Sequence, residues 1–188
     1  MKHHYQTLLF DADDTLLDFK AAEQNALRQL FASLSIELTD NIRNLYHTIN
    51  HSLWQAFERG EISKDEILAT RFRRLFAEIN FSNLPDTLES DYQSMLASGH
   101  QTITEAFEVL NILMQSHDLY IVSNGVASTQ YNRLKASGLY PYFKGVFVSE
   151  ETGYQKPQIE FFDYVIARIP EFKKENTLII GDSLSSDI

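Results

Sequence analysis

Three carboxylates lie close together near the start of the chain, directly after an apolar segment. The stretch LLFDADDTLL (8–17) places Asp11, Asp13 and Asp14 within four positions. Like charges at this spacing repel one another, so something must offset them. Residues 11 and 13 are two apart, and an extended chain directs both to the same side. One carboxylate could attack phosphorus while the other transfers protons. Because a divalent cation would offset the repulsion between them, we predict that a cation and a phosphoryl group are held here.

Polar residues of matching chemistry follow other short apolar segments. TLLF (7–10), LYIVS (119–123), GVFVS (145–149) and TLIIG (177–181) are typical of buried strands in a parallel sheet. In such a sheet, ligands bind at the carboxyl ends of the strands. The residues predicted to gather at that edge are Asp11, Asp13, Ser123, Asn124, Gly125, Lys156, Asp182 and Asp187.

Each residue type in this set suits one part of phosphoryl chemistry. Oxygen ligands without His or Cys suit Mg²⁺, and Asp11 and Asp182 can supply them. Ser123 and the N–H groups that follow it can hold phosphate oxygens in a turn from strand to helix. The ammonium of Lys156 would offset the acidic cluster and the phosphoryl oxygens. These residues predict Mg²⁺-assisted phosphoryl chemistry.

Helical periodicity dominates the part of the chain between the first two predicted strands. Residues 17–95 carry apolar positions at helical spacing and no clear strand pattern. After them, strands and helices alternate, which predicts an α/β fold with a Rossmann-like parallel sheet and helices on both faces. We therefore expect a core formed by residues 1–16 and 96–188, with an all-helical cap inserted after the first strand.

The ordered motifs resemble those of the haloacid dehalogenase-like hydrolases. They are LLFDADDTL (8–16), IVSNG (121–125), Lys156-Pro157 and GDSLSSD (181–187), and the resemblance covers essentially the whole chain. It implies a HAD-like core with a helical cap, and a phosphatase that uses Mg²⁺ and an aspartyl-phosphate intermediate. The dehalogenases of this superfamily lack an acid at the position of Asp13, so its presence favours phosphate chemistry.

The resemblance also implies a role for each motif residue. Asp11 would be the nucleophile and Asp13 the general acid and base, while Asp14 would be a hydrogen-bonding residue of the turn without a catalytic role. Lys156 would steady the phosphoaspartate. The remaining implied roles are phosphate binding by Ser123, Asn124 and Lys156, metal binding by Asp11, Asp182 and the backbone carbonyl of Asp13, and support from Asp187.

The helical segment offers a second resemblance, to the cap of the pyrimidine 5′-nucleotidases. That resemblance rests on residues 50–72, and it implies a nucleoside 5′-monophosphate as substrate. Asn50, Trp54 and Arg71 are then candidate substrate contacts, although Trp54 also suits core packing and the two polar residues also suit the surface. A sugar-phosphate phosphatase or phosphomutase of the same superfamily, or a catalytically idle phosphate-binding member, remains an alternative.

The composition of the chain limits which classes of partner it can bind. The 188 residues carry a net charge of −10, which disfavours nucleic-acid polymers and anionic membranes as partners, and the absence of cysteine excludes disulfides and thiolate metal sites. The N-terminal apolar stretch is too short for a signal peptide or a membrane span. We expect a cytoplasmic enzyme whose partner is a small phosphate ester.

The end of the chain carries one further expectation. The predicted strand TLIIG (177–181) is followed only by the last motif, so it would lack a neighbour on one side. We therefore expect the core to be incomplete at its C-terminal end.

Overall fold

A computed structural model describes residues 5–187. The chain divides into two compact units: Met1–Ala22 together with Ala97–Ile188, called the sheet unit below, and Glu23–Leu96, called the helical unit. The helices are, in chain order, α1 (Phe19–Ser33), α2 (Asp40–Glu58), α3 (Lys64–Glu78), α4 (Leu88–Ala97), α5 (Ala106–Leu113), α6 (Ala127–Ala136), α7 (Ser149–Thr152) and α8 (Ile159–Ile166).

The sheet unit is built on four parallel strands. They are β1 (Thr7–Phe10), β2 (Asp118–Ser123), β3 (Gly145–Val148) and β4 (Thr177–Ile180), in the spatial order β3-β2-β1-β4. Phe10 lies opposite Ile121 on one side and Ile180 on the other. The segments that follow β1, β2 and β4 therefore start at the same level of the sheet. The predicted parallel α/β architecture is confirmed.

Apolar cores cover both faces of this sheet. Alternate residues of β1 point to opposite faces, so Leu8 and Phe10 pack in one buried cluster and Leu9 in another. The first cluster takes residues from α5 and α6, such as Leu110 and Leu134, and the second takes residues from α8. Because both faces are covered, the middle of each strand is apolar, and the polar residues that follow the strands cluster at the carboxyl end of the sheet.

In the helical unit, α2 and α3 begin with side-chain caps. Thr39 Oγ1 accepts a hydrogen bond from Ile42 N at 3.3 Å, and Ser63 Oγ accepts one from Glu66 N at 3.1 Å. Aromatic residues fill its interior, and the ring centroids of Phe72 and Tyr92 are 4.9 Å apart. Within residues 5–187, no helix has the length and apolar character needed to cross a membrane. The cytoplasmic location stays a prediction.

Candidate active site

The turn after β1 presents Asp11 at the carboxyl end of the sheet. Its backbone N–H donates to Ile180 O at 2.9 Å, which extends the pairing with β4 by one residue. Asp14 then adopts a positive φ of 54°, and its Oδ1 accepts hydrogen bonds from Phe19 N at 3.1 Å and Lys20 N at 3.3 Å. Asp14 thus links the turn to the start of α1, as expected for a residue of the turn.

A buried lysine bridges two of the predicted carboxylates. Lys156 Nζ lies 2.7 Å from Asp11 Oδ1 and 2.5 Å from Asp187 Oδ1, and Lys156 is only 1% exposed. Asp182 completes the cluster, because ligand oxygens of Asp11, Asp182 and Asp187 all lie within 4.8 Å of one another. The segments after β1 and β4 and the loop before α8 thus bring their predicted residues together.

Burial and charge set the protonation of this cluster. Burial raises the pKa of Asp11 to about 7. The charge of Lys156 is the next largest effect and lowers this pKa, while the charges of Asp13 and Asp187 raise it by less. Burial alone would lower the pKa of Lys156, but the two carboxylates outweigh it and raise that pKa. The pKa of Asp182 is also raised, by burial and by the charge of Asp14. The cluster therefore has more negative charge than its lysine neutralises.

The donor set suits a hard divalent cation. The three carboxylates have oxygen atoms close together, and only one ammonium lies beside them among the residues described. Carboxylate oxygens are the ligand type that Mg²⁺ takes in proteins. The packing around Asp187 is also tight: a Cβ added to Gly181 would lie 2.1 Å from Asp187 Oδ2, so this close approach requires glycine. The residues present fit the predicted magnesium ion.

Asn124 is placed by the structure against the backbone of Lys156. Its Nδ2 donates to Lys156 O at 2.9 Å, while Lys156 N donates to its Oδ1 at 2.8 Å. Both ends of the side-chain amide are therefore used in fixing the loop that carries the lysine. A phosphate contact from this residue would have to come from its backbone N–H.

Ser123 lies buried at the end of β2. Its Oγ accepts hydrogen bonds from Gly125 N at 3.1 Å and from Gln130 Nε2 at 2.9 Å. Because the hydroxyl accepts both bonds, its own hydrogen remains available to donate to an anion. This geometry is compatible with the predicted phosphate contact.

Asp13 lies against two residues that the sequence reasoning missed. Gln130 Nε2 donates to Asp13 Oδ2 at 2.5 Å, and Arg133 forms an ion pair with the same carboxylate. Both partners lie on α6, and both are buried. A polar pair at helical spacing is ordinary on a solvent-facing surface, and only the packing of α6 against the sheet shows that this pair is turned inward.

The candidate substrate residues of the helical unit form a buried polar network. Arg71 binds Glu89 through Nε at 2.9 Å and Nη2 at 2.5 Å, and its Nη1 donates to Asn50 Oδ1 at 3.4 Å. Asn50 in turn donates to Glu23 at 3.3 Å. Asn50 and Arg71 are therefore not surface residues. Trp54 is partly buried and packs edge-on against Phe57, with ring centroids 5.7 Å apart.

A parallel α/β sheet that collects carboxylates, a buried lysine and a hydroxyl at its carboxyl edge is typical of a Rossmann-like enzyme with an acidic site. The family model described as haloacid dehalogenase-like hydrolase matches residues 8–188. The chain therefore belongs to the haloacid dehalogenase-like hydrolases, which confirms the resemblance inferred from its motifs. It is an enzyme of the hydrolase class.

Individual relatives cover nearly the whole chain. YfnB of Bacillus subtilis (strain 168), named as a HAD-hydrolase, is 54% identical over 184 residues, which cover 98% of this chain and 78% of YfnB. The pyrimidine 5′-nucleotidase PynA of Streptococcus pneumoniae (strain ATCC BAA-255 / R6) is 42% identical over 185 residues, which cover 98% of this chain and 78% of PynA. A crystal structure of YfnB bound to magnesium superposes with a TM-score of 0.96 and 54% identity, covering 98% of this chain and 83% of that one.

Proposed function

We propose that this enzyme is a Mg²⁺-dependent phosphatase that hydrolyses a nucleoside 5′-monophosphate through an aspartyl-phosphate on Asp11. The observation that carries the proposal is the buried bridge of Lys156 between Asp11 and Asp187, with Asp182 beside it. A nucleophile, a fixed positive charge and cation ligands thereby meet at one point of the sheet. Phosphoryl transfer needs this combination of positioning and charge neutralisation.

The first chemical step forms a bond between Asp11 and phosphorus. The Asp11 carboxylate attacks the phosphorus in line, and the bond from phosphorus to the ester oxygen breaks as Asp13 donates a proton to that oxygen. Lys156 lies next to the attacking carboxylate and offsets negative charge on the transferring group. The hydroxyl of Ser123 and the backbone N–H of Asn124 hold the phosphoryl oxygens, while the N–H of Gly125 donates to Ser123 Oγ.

The second step returns the enzyme to its starting state. Asp13, now ionised, takes a proton from water, and the water oxygen attacks the phosphorus. The bond between phosphorus and Asp11 breaks, which releases phosphate and frees the carboxylate. Asn124 acts here through its two hydrogen bonds to the Lys156 backbone, which keep the ammonium in place.

The magnesium ion would be held by Asp11, Asp182 and the backbone carbonyl of Asp13, with Asp187 close by. When bound, the ion neutralises charge on the phosphoryl group and orients it. The crystal structure of the relative YfnB bound to magnesium supports the choice of the ion, and the cluster of Asp11, Asp182 and Asp187 supports its location.

The choice of a nucleotide as substrate is supported by the identity of 42% with the pyrimidine 5′-nucleotidase PynA. A sugar-phosphate phosphatase or phosphomutase, or an idle phosphate-binding protein, stays the alternative. In the helical unit, the hydrogen bonds of Asn50 and Arg71 account for their burial without a ligand. Substrate contacts by these two residues and by Trp54 stay predictions.

A panel of phosphate esters tests the proposed function. Pyrimidine and purine nucleoside monophosphates and hexose phosphates are each incubated with the enzyme in Mg²⁺ and in EDTA. We expect the highest kcat/KM for a nucleoside monophosphate, only with Mg²⁺, and a loss of more than about 10³-fold for Asp11→Asn. The exposed Asp163 on α8 provides a matched control, Asp163→Asn, with unchanged activity.

Each contrary outcome removes a defined part of the proposal. A higher kcat/KM for hexose phosphates would transfer the enzyme to the alternative substrate class. Full activity in EDTA would contradict the magnesium assignment, and undiminished activity of Asp11→Asn would contradict the covalent scheme.

A further inference from the structure

Two side chains of one helix already hold the carboxylate that the proposed mechanism uses as acid and base. Asp13 Oδ2 accepts a hydrogen bond from Gln130 Nε2 at 2.5 Å, and Asp13 Oδ1 pairs with Arg133 Nη1. Gln130 and Arg133 are three positions apart on α6 and therefore project from the same side of the helix. Both oxygens of Asp13 are thus fixed from one direction.

Arg133 is itself held rigidly. It is 0% exposed, its Nε donates to Gly99 O at 2.8 Å, and its guanidinium carbon lies 5.6 Å from the centre of the Phe19 ring. A planar guanidinium fixed on a carbonyl and against an aromatic ring presents its remaining nitrogens in one place. Among the residues that the structure describes, Nη2 has no hydrogen-bond partner.

The burial of Arg133 is not explained by stability. Its side chain is 1% exposed while that of Asp13 is 28% exposed, so the arginine is taken out of water against a partly solvated partner. Burying a charged side chain costs free energy, and a well-packed apolar residue of similar volume is often as stabilising or more so. Arg133 also leaves one buried nitrogen unsatisfied, which adds to the cost. A buried arginine that pairs with the proposed acid and base at this cost is better explained by a functional role.

Gln130 connects Asp13 with the predicted phosphate site. Its Nε2 lies 2.5 Å from Asp13 Oδ2 and 2.9 Å from Ser123 Oγ, and the residue is 1% exposed. Gly125 makes room for it, because a Cβ at that position would lie 2.4 Å from Gln130 Nε2. One amide group therefore sets the distance between the acid and base and the hydroxyl expected to hold the phosphoryl group.

We propose that Arg133 and Gln130 are positioning residues that fix Asp13 for proton transfer to the leaving oxygen. The inference rests on the proposed function and adds to it. The proton passes from the carboxyl of Asp13 to the ester oxygen while the bond from that oxygen to phosphorus breaks. Arg133 and Gln130 exchange no proton. Each carboxyl oxygen of Asp13 has a further lone pair, which can carry the proton that is transferred.

The test compares two substrates that differ in their need for that proton. The leaving alkoxide of a nucleoside monophosphate must be protonated, whereas p-nitrophenolate leaves as a stable anion. The ratio kcat/KM reports steps only as far as release of the leaving group, so the later hydrolysis of the aspartyl-phosphate does not enter it. A defect in positioning Asp13 must therefore lower kcat/KM for the nucleotide and spare p-nitrophenyl phosphate.

We expect Arg133→Met to lower kcat/KM for the nucleoside monophosphate by about 10- to 100-fold and that for p-nitrophenyl phosphate by no more than about threefold. Gln130→Met also removes the contact with Ser123, so kcat/KM should fall for both substrates, but by a larger factor for the nucleotide. It removes no charge and decides the question if Arg133→Met does not fold. Arg168→Met is the matched control: the same substitution at an exposed position of the sheet unit should leave kcat/KM unchanged for both substrates.

A double-variant cycle separates positioning from general damage to the structure. Asp13→Asn should also lower kcat/KM more for the nucleotide than for p-nitrophenyl phosphate. Adding Arg133→Met or Gln130→Met to this variant should not lower kcat/KM for the nucleotide any further by loss of positioning. Equal losses on both substrates, or losses that multiply in the Asp13→Asn background, would overturn the positioning role. If Asp13→Asn itself spared the nucleotide, the role of Asp13 in the proposed function would fail instead.

Discussion

At the scale of single residues, the site depends on how one ammonium is shared among buried carboxylates. Lys156 is within 2.7 Å of Asp11 and 2.5 Å of Asp187, yet the pKa of Asp11 is still raised to about 7 because burial outweighs the lysine. The structure therefore contains a carboxylate whose ionised form requires more positive charge than the protein provides. A bound cation would supply it.

This imbalance predicts how stability depends on pH without metal. The pKa of Asp11 is about 7 in the folded protein and 3.8 as its ordinary value, so the folded state binds a proton that the unfolded state releases. The stabilising contribution is complete below the lower pKa and is lost as the pH rises through the higher one. Relative to Asp11→Asn, the wild-type protein should lose on the order of a few kcal/mol of unfolding free energy over this range.

Urea denaturation in EDTA at a series of pH values measures the effect. The other carboxylates are present in both proteins, so the difference between wild type and Asp11→Asn isolates the residue. Identical pH slopes for the two proteins would show that Asp11 is not held in its protonated form. Added Mg²⁺ should flatten the wild-type slope, because the cation favours the ionised carboxylate.

At this scale the sequence indicated some residues and concealed others. Asp11, Lys156, Asp182 and Asp187 could be grouped beforehand, because a parallel sheet brings the ends of its strands to one edge. Gln130 and Arg133 could not, because their inward orientation depends on how a helix packs rather than on residue type. No local pattern distinguishes a buried ion pair from an exposed one.

At the scale of elements, the loop before α8 depends on the end of β2. The side-chain amide of Asn124 makes two hydrogen bonds to the backbone of Lys156, which is 32 positions further along the chain. Sequence reasoning placed Asn124 at the correct strand end and assigned its backbone N–H to phosphate, but it did not find the partner of its side chain. Which of two nearby groups an amide binds is settled by the path of the loop, and the sequence does not encode that path locally.

The double hydrogen bond predicts that Asn124→Ala weakens the site through Lys156. Two backbone groups would lose their partners, which should lower the unfolding free energy by about 1–3 kcal/mol, and a displaced ammonium should lower kcat more than it raises KM. Urea denaturation and steady-state kinetics measure the two effects. Asn132→Ala, at an exposed position on α6, is the matched control. Unchanged kcat in Asn124→Ala would contradict the positioning of Lys156 by this residue.

At the scale of the whole molecule, the chain combines a sheet unit that carries every motif residue with a helical unit that carries none. The α/β architecture followed from alternating apolar segments, because that pattern is repeated over many residues. Helical periodicity supports the proposal that the helical unit is an insertion. The internal packing of the helical unit was harder to predict from the sequence. Its buried network of Glu23, Asn50, Arg71 and Glu89 consists of residue types that usually lie on surfaces.

The central claim is that Asp11 carries the phosphoryl group during turnover, and chemical trapping tests it most directly. Enzyme mixed with Mg²⁺ and a radiolabelled nucleoside monophosphate is quenched in acid within one turnover, digested and mapped by mass spectrometry. We predict one phosphoryl group on the peptide that contains Asp11 in the wild-type enzyme and none in Asp11→Asn. Turnover without label on this peptide, at quench times that cover the whole reaction, would contradict the account.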